Sequence, residues 1–227
     1  MKHLIKLNAV AFIAAMCSLS LVACDDDDDA PDNDLNMYKG HEYVDLGLSV
    51  KWATCNVGAE NPEDYGSYYA WGETKTKSEY NWDTYTVEQE SFVGDNKTVL
   101  DPEDDAAAAN WGGKWRMPTA AEREELYNNT IQTWTNDYEG TGVKGYILAS
   151  KKAGYEGASI FLPAAGLRSD GDLNGEGFCG FYWSSSLVEN VSSYARNLKF
   201  YPGDYFYLRF SSYRYDGFPV RPVCKPQ

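Results

Sequence analysis

The sequence contains little histidine. Of its 227 residues only two are histidine, and only His41 lies beyond the first few residues. Ser-His-Asp triads, Cys-His pairs and histidine-rich zinc sites therefore cannot be assembled within one domain of this chain. Glycoside hydrolysis needs only two carboxylates, and the 34 acidic residues supply candidates, but no spacing among them singles out a pair. We therefore expect that the chain is not an enzyme.

Positive charge is also scarce. The sequence has 20 lysine and arginine residues against 34 aspartate and glutamate residues, for a formal net charge of −14 at pH 7. Such a chain repels nucleic acids and anionic lipid headgroups, so neither is expected as a partner. Aromatic residues, in contrast, make up 15% of the sequence and include 18 tyrosines. This is more than a core of this size needs, so part of them must lie at the surface.

The sequence has no apolar run long enough for a permanent membrane-spanning helix. Residues 9–16 are apolar and lie within residues 1–23, which have the basic start and short hydrophobic segment of a secretory signal peptide. The segment ends in Leu-Val-Ala-Cys, which resembles the bacterial lipobox, in which cleavage leaves an acylated cysteine, Cys24, at the new amino terminus. Membrane contact would then be through the lipid anchor only. The alternative is a plain secreted protein in which Cys24 is incidental.

Residues 24–40 are rich in aspartate, asparagine and proline, and they include five consecutive aspartates, Asp25 to Asp29. Because the segment lacks apolar periodicity, we predict an acidic, disordered tether. Acidic residues directly after a lipidated cysteine resemble the export signal of surface lipoproteins in some anaerobic Gram-negative bacteria. We therefore expect the chain at the bacterial outer membrane, exposed on the cell surface.

Two helix signatures follow one another within residues 101–129. Asp101 is placed to cap a first helix that has Pro102 at its first position, followed by acidic residues and four alanines. A second helix is predicted to begin at Thr119, because Thr119 and Glu122 have the spacing of a capping box. Between the helices, three large side chains are expected to fill a core: Trp111, Trp115 and Met117.

The rest of the chain has the pattern of β-structure. Apolar and polar residues alternate over residues 43–58, and strands are predicted at residues 143–149 and 158–162. Residues 194–201 and 205–210 flank a Pro-Gly-Asp turn, so they are predicted to form a hairpin.

The side chains of this hairpin should alternate between the core and solvent, with Phe206, Leu208 and Phe210 on the core side. The predicted binding surface combines the solvent side with neighbouring residues: Tyr194, Asn197, Tyr201, Asp204, Tyr205, Tyr207, Arg209, Tyr213, Arg214, Tyr215 and Asp216. This composition is close to that of antibody paratopes, and tyrosine rings stack on the apolar faces of sugars. An extracellular glycan or protein is therefore the expected ligand. The alternative is that the tyrosines are only good strand formers.

Several sequence blocks resemble one known family. They are Trp-Gly-Gly-Lys-Trp-Arg-Met-Pro-Thr at 111–119, Tyr-Val-Asp-Leu-Gly-Leu-Ser-Val-Lys-Trp at 43–52, Tyr-Trp-Ser-Ser-Ser at 182–186 and Gly-Phe-Pro-Val-Arg-Pro-Val at 217–223. These blocks resemble the Fibrobacter succinogenes major paralogous domain, a branch of the C-type-lectin-like fold related to formylglycine-generating-enzyme-like domains. The resemblance covers nearly all of residues 41–227. It implies an α+β domain with two short helices packed on small antiparallel sheets with long loops, and a ligand-binding scaffold without assigned chemistry.

The cysteines do not match the closely spaced reactive pair of the formylglycine-generating relatives, because Cys179 and Cys224 lie far apart in the sequence. That activity is therefore not implied. The fold brings its two termini together, which allows a disulfide between Cys55 and Cys224 in an oxidising compartment. The alternative for this pair is two small buried side chains, and Cys179 is also expected to be buried.

Asp170, Asp172, Asn174 and Glu176 place oxygen-bearing side chains at alternate positions, as in a calcium-binding loop. The position at which an EF-hand has glutamate is occupied by Phe181, so the segment departs from that pattern. The segment is either a calcium site or a simple turn. Calcium is the one cofactor that the sequence suggests.

These observations favour a surface-anchored lipoprotein whose C-type-lectin-like domain binds an extracellular glycan or protein through its tyrosine-rich hairpin. One alternative is a structural component such as a pilus-tip or surface-layer subunit. Another is a receptor diversified by a retroelement, because the Tyr, Asn, Ser and Asp content of residues 182–216 resembles the result of adenine-directed codon change. A glycan-active enzyme is the least favoured alternative.

Overall fold

A computed structural model of the chain describes residues 36–87, 98–189, 191–203 and 205–225. The predicted signal peptide (1–23), the lipidation site Cys24, the tether up to residue 35 and the hairpin residue Asp204 lie outside the described residues. Within these ranges, no helix has the length and apolar character needed to cross a bilayer.

The described residues form an α+β structure dominated by short strands, as the sequence predicts. Strands β1 to β6 are Met37–Tyr38, His41–Val44, Lys51–Ala53, Thr130–Thr135, Gly145–Ser150 and Ser159–Pro163. Strands β7 to β12 are Leu167–Ser169, Asp172–Asn174, Gly180–Leu187, Tyr194–Tyr201, Tyr205–Tyr213 and Val223–Cys224. A 3₁₀ turn at Pro102–Asp104 precedes helix α1 (Ala106–Trp111), and helix α2 is Ala120–Asn128.

The strands form small sheets in which neighbouring strands are antiparallel. The strand orders are β1-β2-β3-β12, β4-β5-β6, β7-β8 and β9-β10-β11. The strands predicted at residues 143–149 and 158–162 correspond to β5 and β6, and the predicted hairpin corresponds to β10 and β11. These predictions are confirmed. They depended on the alternation of apolar and polar residues, which is visible in the sequence of a strand that buries only one of its two sides.

The first sheet joins the two ends of the described chain. Val223 in β12 lies opposite Trp52 in β3, and it also exchanges backbone hydrogen bonds with Arg116, ahead of α2. Tyr38 in β1 is fully buried, and its carbonyl oxygen accepts a hydrogen bond from the Trp115 indole nitrogen at 3.0 Å. The predicted tether boundary at residue 40 is therefore wrong, because β1 already belongs to the folded domain.

Helix α1 is capped by Asp105 and not by Asp101. Asp105 Oδ1 accepts hydrogen bonds from the backbone N–H groups of Ala107 and Ala108 at 2.9 and 3.0 Å. The same carboxylate accepts the Met117 N–H at 2.8 Å. The predicted cap at Asp101 is wrong, because the residues that follow it form the 3₁₀ turn and the α-helix begins later. Asp105 thereby connects α1 to the segment that leads into α2.

Helix α2 has the predicted capping box. Thr119 Oγ1 accepts the Glu122 N–H at 3.2 Å, and the Glu122 carboxylate accepts the Thr119 N–H at 2.8 Å. Arg116 donates to both Glu122 oxygens, at 2.8 and 2.5 Å. Burial raises the pKa of Glu122, but the hydrogen bonds from Arg116 and Thr119 outweigh it and hold this pKa below its ordinary value. The inner side of α2 buries Leu126 and, unexpectedly for a charged residue, Arg123.

Tryptophan side chains fill much of the core. Four of them are at most 2% exposed: Trp52, Trp71, Trp115 and Trp183. Met117 is also buried, so the predicted core positions of Trp115 and Met117 are confirmed. Trp111 is only partly buried, and its ring stacks on His41 with the ring centroids 3.7 Å apart.

The thiols of Cys55, Cys179 and Cys224 are all free. Neither Cys55 nor Cys224 has the other as its neighbour. Cys224 in β12 lies opposite Lys51 in β3, and the Cys55 sulfur lies 3.5 Å from the carbonyl oxygen of Glu60. The predicted disulfide between Cys55 and Cys224 is therefore wrong, although the two chain ends do meet. Cys224 is a small buried side chain, and burial raises its pKa to about 12.

We expect Asp105→Ala to lower the free energy of unfolding by about 2 to 4 kcal/mol. The substitution removes a helix cap and leaves the buried Met117 N–H without its acceptor. Chemical denaturation followed by circular dichroism measures the change. Glu103→Ala is the matched control, because Glu103 is an exposed acidic residue of the preceding 3₁₀ turn, and it should change the free energy by less than about 0.5 kcal/mol. Equal losses in the two variants would contradict the prediction.

Candidate ligand-binding surface

The hairpin of β10 and β11 turns at Pro202 and Gly203. Gly203 has φ of +87°, in the left-handed region that glycine adopts without steric cost. Tyr201 then lies opposite Tyr205, which sets the pairing of the two strands. On the solvent side of this end of the hairpin, Tyr205 and Tyr207 are 59% and 46% exposed. The predicted exposure of these two tyrosines is confirmed.

A β-bulge interrupts the alternation of side chains along β11. Two residues of β11, Leu208 and Arg209, lie opposite a single residue of β10, Leu198. The inserted residue inverts the alternation beyond it. Phe210 consequently reaches the solvent side, where it is 37% exposed, and Arg209 Nε donates to Glu124 Oε1 of α2 at 2.7 Å. The predicted core position of Phe210 and the predicted grouping of Arg209 with Tyr205 and Tyr207 are therefore wrong.

We call the solvent side of the hairpin the aromatic face, which consists of Phe178, Lys199, Tyr201, Tyr205, Tyr207 and Phe210. The Lys199 ammonium lies 4.5 Å from the centre of the Phe210 ring and 5.0 Å from that of Tyr201. Cation–π attraction to these rings stabilises its position. No acidic residue in the described ranges forms an ion pair with Lys199. The face therefore combines exposed rings with one positive charge that has no carboxylate partner among the described residues.

A second group of rings lies near the other end of the hairpin. The Trp82 ring contacts Tyr215 edge-on with the centroids 4.9 Å apart, and Tyr215 stacks on Tyr213 at 5.1 Å. Tyr213 also contacts Tyr194, at 4.6 Å. We call these four residues the Trp82 cluster. Tyr213 is 40% exposed and the others are partly buried, so the structure brings together three of the predicted contact residues, Tyr194, Tyr213 and Tyr215.

Three predicted contact residues are buried and do not belong to the surface. Asn197 is fully buried, and its amide nitrogen donates to a serine hydroxyl of β11. The Arg214 guanidinium lies 4.7 Å from the centre of the Trp71 ring, and its Nε donates to the Tyr194 carbonyl at 3.4 Å. Asp216 is 8% exposed. The surface positions predicted for Asn197, Arg214 and Asp216 are therefore wrong. Residues distant in the sequence contact two of them, Trp71 at Arg214 and Ser169 at Asp216.

A shallow groove with a volume of about 520 Å³ separates α2 from β11. It is lined by Glu124, Asn128 and residues 206–210. The groove continues into the aromatic face, because Tyr207 and Phe210 belong to both. The ion pair of Arg209 with Glu124 lies at its rim, and the Arg209 side chain is 80% exposed. Solvent screens such an exposed pair, so it contributes little to stability.

The residues of the predicted calcium loop form the hairpin of β7 and β8. Asp172 and Asn174 belong to β8 and pair with β7, while Asp170 lies in the turn with φ of +49°. Across the described ranges, no three His, Cys, Asp or Glu side chains are grouped so that they could hold a metal. The side chains of Asp170, Asp172 and Glu176 are therefore not grouped as a calcium site needs, and with Asn174 they form the simple turn that was the alternative.

Sequence reasoning missed Phe178, Lys199, Phe210 and Trp82. Lys199 alternates with Tyr201 along β10, so it could have been assigned to the same side of the strand. Phe178 and Trp82 lie outside the hairpin, and no local pattern connects them to it. Phe210 was assigned to the wrong side because of the bulge.

Comparisons with known proteins found no family model, no curated protein and no solved structure that matches the chain.

We expect Asp216→Asn to stabilise the protein at pH 8 and to have little effect at pH 4. Burial raises the pKa of Asp216 to about 7. A hydrogen bond with Ser169 lowers this pKa in part, and the negative charge of Asp170 raises it further. The unfolded chain loses this proton near pH 4. Between about pH 4 and 7 the folded protein therefore binds more protons than the unfolded chain, and its stability falls as the pH rises.

The expected gain from Asp216→Asn at pH 8 is about 2 to 4 kcal/mol in the free energy of unfolding, measured by denaturation at pH 4, 6 and 8. Asp172→Asn is the control, because Asp172 is an exposed aspartate of the neighbouring hairpin. It should show no such pH dependence. A gain from Asp216→Asn that is the same at pH 4 and pH 8 would contradict the assignment.

Proposed function

We propose that the chain is a binding protein of the bacterial cell surface whose folded domain binds an extracellular glycan or protein through the aromatic face. The observation that carries the proposal is the exposure of several large rings in one place. Tyr205 is 59%, Phe178 58%, Tyr207 46% and Phe210 37% exposed. Protein surfaces rarely display a continuous group of large apolar side chains unless a ligand covers it.

The chemistry of the aromatic face suits a ligand with both apolar and anionic parts. The rings of Tyr205 and Tyr207 can stack on sugars or on apolar side chains, and their hydroxyl groups can form hydrogen bonds. Lys199 adds a positive charge to a chain whose formal net charge is −14. We infer that the ligand carries a carboxylate or another anionic group beside an apolar surface, because such a group would complement Lys199.

We also propose that the domain has the C-type-lectin-like fold of the Fibrobacter succinogenes major paralogous domain. Two features support this proposal. The sheet of β1, β2, β3 and β12 joins the two ends of the domain, and two short helices precede the remaining sheets. In addition, the sequence blocks of the resemblance contact one another: Arg116 exchanges backbone hydrogen bonds with Val223, and Trp52 lies opposite Val223.

The anchor and the location are proposed from the sequence. Residues 1–23 would act as the signal peptide, and Cys24 would carry the lipid. The acidic residues that follow Cys24 favour export to the outer face of the outer membrane. The aromatic face would then be held near the cell surface, where extracellular ligands can reach it.

We expect Tyr205→Ala, Tyr207→Ala and Lys199→Met each to weaken ligand binding by about tenfold. Truncation of a central contact residue commonly costs about 1 to 2 kcal/mol of binding free energy. The purified full chain is first screened against an array of neutral and acidic glycans and against candidate extracellular proteins. The best ligand is then titrated with each variant by isothermal calorimetry.

Tyr155→Ala is the matched control for this series. Tyr155 is 36% exposed, but its ring lies against Gly47, outside the aromatic face. Binding by this variant should equal that of the wild type. The proposal is wrong if the affinity is unchanged in all three variants of the aromatic face, or if Tyr155→Ala lowers it as strongly as they do. Thermal unfolding of each variant, with a midpoint close to that of the wild type, confirms that the domain remains folded.

A further inference from the structure

Strand β11 lies at the edge of its sheet. The strand order is β9-β10-β11, and within the described residues β11 pairs with β10 alone. The edge of β11 that points away from β10 is therefore without a neighbouring strand over its nine residues. An edge strand presents a row of backbone N–H and C=O groups to which another strand can bond. Addition of an extended peptide to such an edge is a recurring mode of protein recognition.

The shallow groove beside α2 follows this open edge. The groove is lined by residues 206–210 of β11 and by Glu124 and Asn128 of α2. Leu208 packs against the core, whereas Tyr207 belongs to the aromatic face. Because successive side chains of a strand point to opposite sides, a groove that touches both sets borders the edge of β11 and not just one of its sides. Its volume of about 520 Å³ lies within the range of roughly 300 to 1,000 Å³ that is usual for ligand sites.

The backbone of β11 has unused hydrogen-bonding capacity along the groove. Across the described ranges, no backbone hydrogen bond joins residues 206–210 to a segment other than β10. The bulge adds to this capacity, because an inserted residue is left outside the ladder of the two strands. One side chain uses part of it: Arg196 Nη1 donates to the carbonyl oxygen of Arg209 at 3.3 Å. The other backbone groups of the edge are available to an added strand.

The two strands of the hairpin are basic, although the chain as a whole is acidic. Strands β10 and β11 contain Arg196, Lys199 and Arg209 and no aspartate or glutamate, whereas the formal net charge of the chain is −14. The α2 side of the groove supplies one carboxylate, Glu124, which forms an ion pair with Arg209. This carboxylate offsets only one of the three positive charges. An acidic segment therefore complements the hairpin.

The same charges disfavour a second copy of this chain as the added strand. Antiparallel pairing of two β11 strands about a two-fold axis would bring the positive charges of one hairpin close to those of the other. Like charges on facing strands are destabilising. Bulges and charged side chains on an edge also hinder pairing between copies of the same strand. An acidic segment from another protein meets no such repulsion.

We propose that the groove binds an acidic, extended segment of another protein, which adds to β11 as a further strand of the β9-β10-β11 sheet. Backbone hydrogen bonds to β11 supply affinity, and the alternating side chains of the segment supply specificity. On one side of the added strand, these side chains lie beside Tyr207 and Phe210, where Lys199 attracts a carboxylate. On the other side, Arg196 and Arg209 attract a carboxylate.

The groove shares Tyr207 and Phe210 with the aromatic face. The inference therefore deepens the proposed function by naming the class of partner, a protein with an acidic strand, and it rests on that function for the extracellular location of the partner.

The test follows the isotope-labelled full chain by NMR during titration with a blocked synthetic peptide in which valine and glutamate alternate. We expect saturable binding, with the changes in amide signals concentrated in β11. At a peptide concentration about ten times the Kd, hydrogen exchange of the outward-pointing β11 amides should slow by about tenfold, because only the free protein exchanges. The same peptide with lysine in place of glutamate should bind at least about tenfold more weakly. So should the glutamate peptide with all its amide nitrogens methylated, because it has no backbone donors.

The role of the hairpin charges is tested with the double variant Lys199→Gln, Arg209→Gln. It should weaken binding of the glutamate peptide by about tenfold, since each exposed charge contributes a few-fold. The double variant Lys75→Gln, Lys151→Gln is the matched control, because it removes the same charge from two exposed lysines outside the hairpin. Its affinity should equal that of the wild type. Equal losses in the two double variants would overturn the assignment of the site.

Three further results would overturn the inference: no saturable binding of the glutamate peptide, equal binding of all three peptides, or slowed exchange that spares β11. Light scattering of the free protein adds a fourth. A dimer in which the β11 amides are already protected would make a second copy the occupant.

Failure of this inference is distinguishable from failure of the proposed function, because Tyr205 belongs to the aromatic face but does not line the groove. A ligand whose binding is lost in Tyr205→Ala, together with no binding of the glutamate peptide, would overturn the inference and leave the proposed function in place.

Discussion

The pairing of β12 with β3 is the interaction on which the other parts of the structure depend. Val223 lies opposite Trp52, and next to it the carbonyl oxygen of Pro222 accepts the Ala53 N–H at 3.0 Å. On its other side Val223 exchanges two backbone hydrogen bonds with Arg116. The carboxyl-terminal strand is thus inserted between the amino-terminal sheet and the segment that leads into α2. Arg116 in turn bonds the capping glutamate of that helix, Glu122. Helix position, core closure and the meeting of the chain ends therefore depend on one short strand.

The same closure explains why charge is present in the core. Arg221 lies two residues before Val223, so the insertion of the strand carries its guanidinium inside, and α2 brings Arg123 to the same part of the core. Hydrogen bonds to neutral acceptors satisfy only part of these two groups. Desolvation of a charge without an ion-pair partner is costly, so the remaining interactions of the core must offset the cost of burying these two guanidinium groups.

The proposed binding surface depends on a different feature, the bulge in β11. The inserted residue moves Phe210 beside Lys199 and turns Arg209 toward Glu124. One irregularity therefore creates both the ring that completes the aromatic face and the ion pair at the rim of the groove. Strand residues held by neighbouring strands are also better positioned for recognition than residues of a free loop. The exposed tyrosines are thus supported by a continuous sheet.

The sequence by itself determined the features that depend on neighbours along the chain. The capping box of Thr119 and Glu122, the strands β5 and β6, and the hairpin with its exposed Tyr205 and Tyr207 follow from patterns a few residues long. The tertiary structure alone decided which polar residues are covered. Arg214, for example, is buried against Trp71, which is distant in the sequence. The tertiary structure also decided on which side of the hairpin Phe210 lies. The residue inserted at the bulge of β11 inverts the alternation of buried and exposed side chains, and no feature of the sequence predicts the bulge.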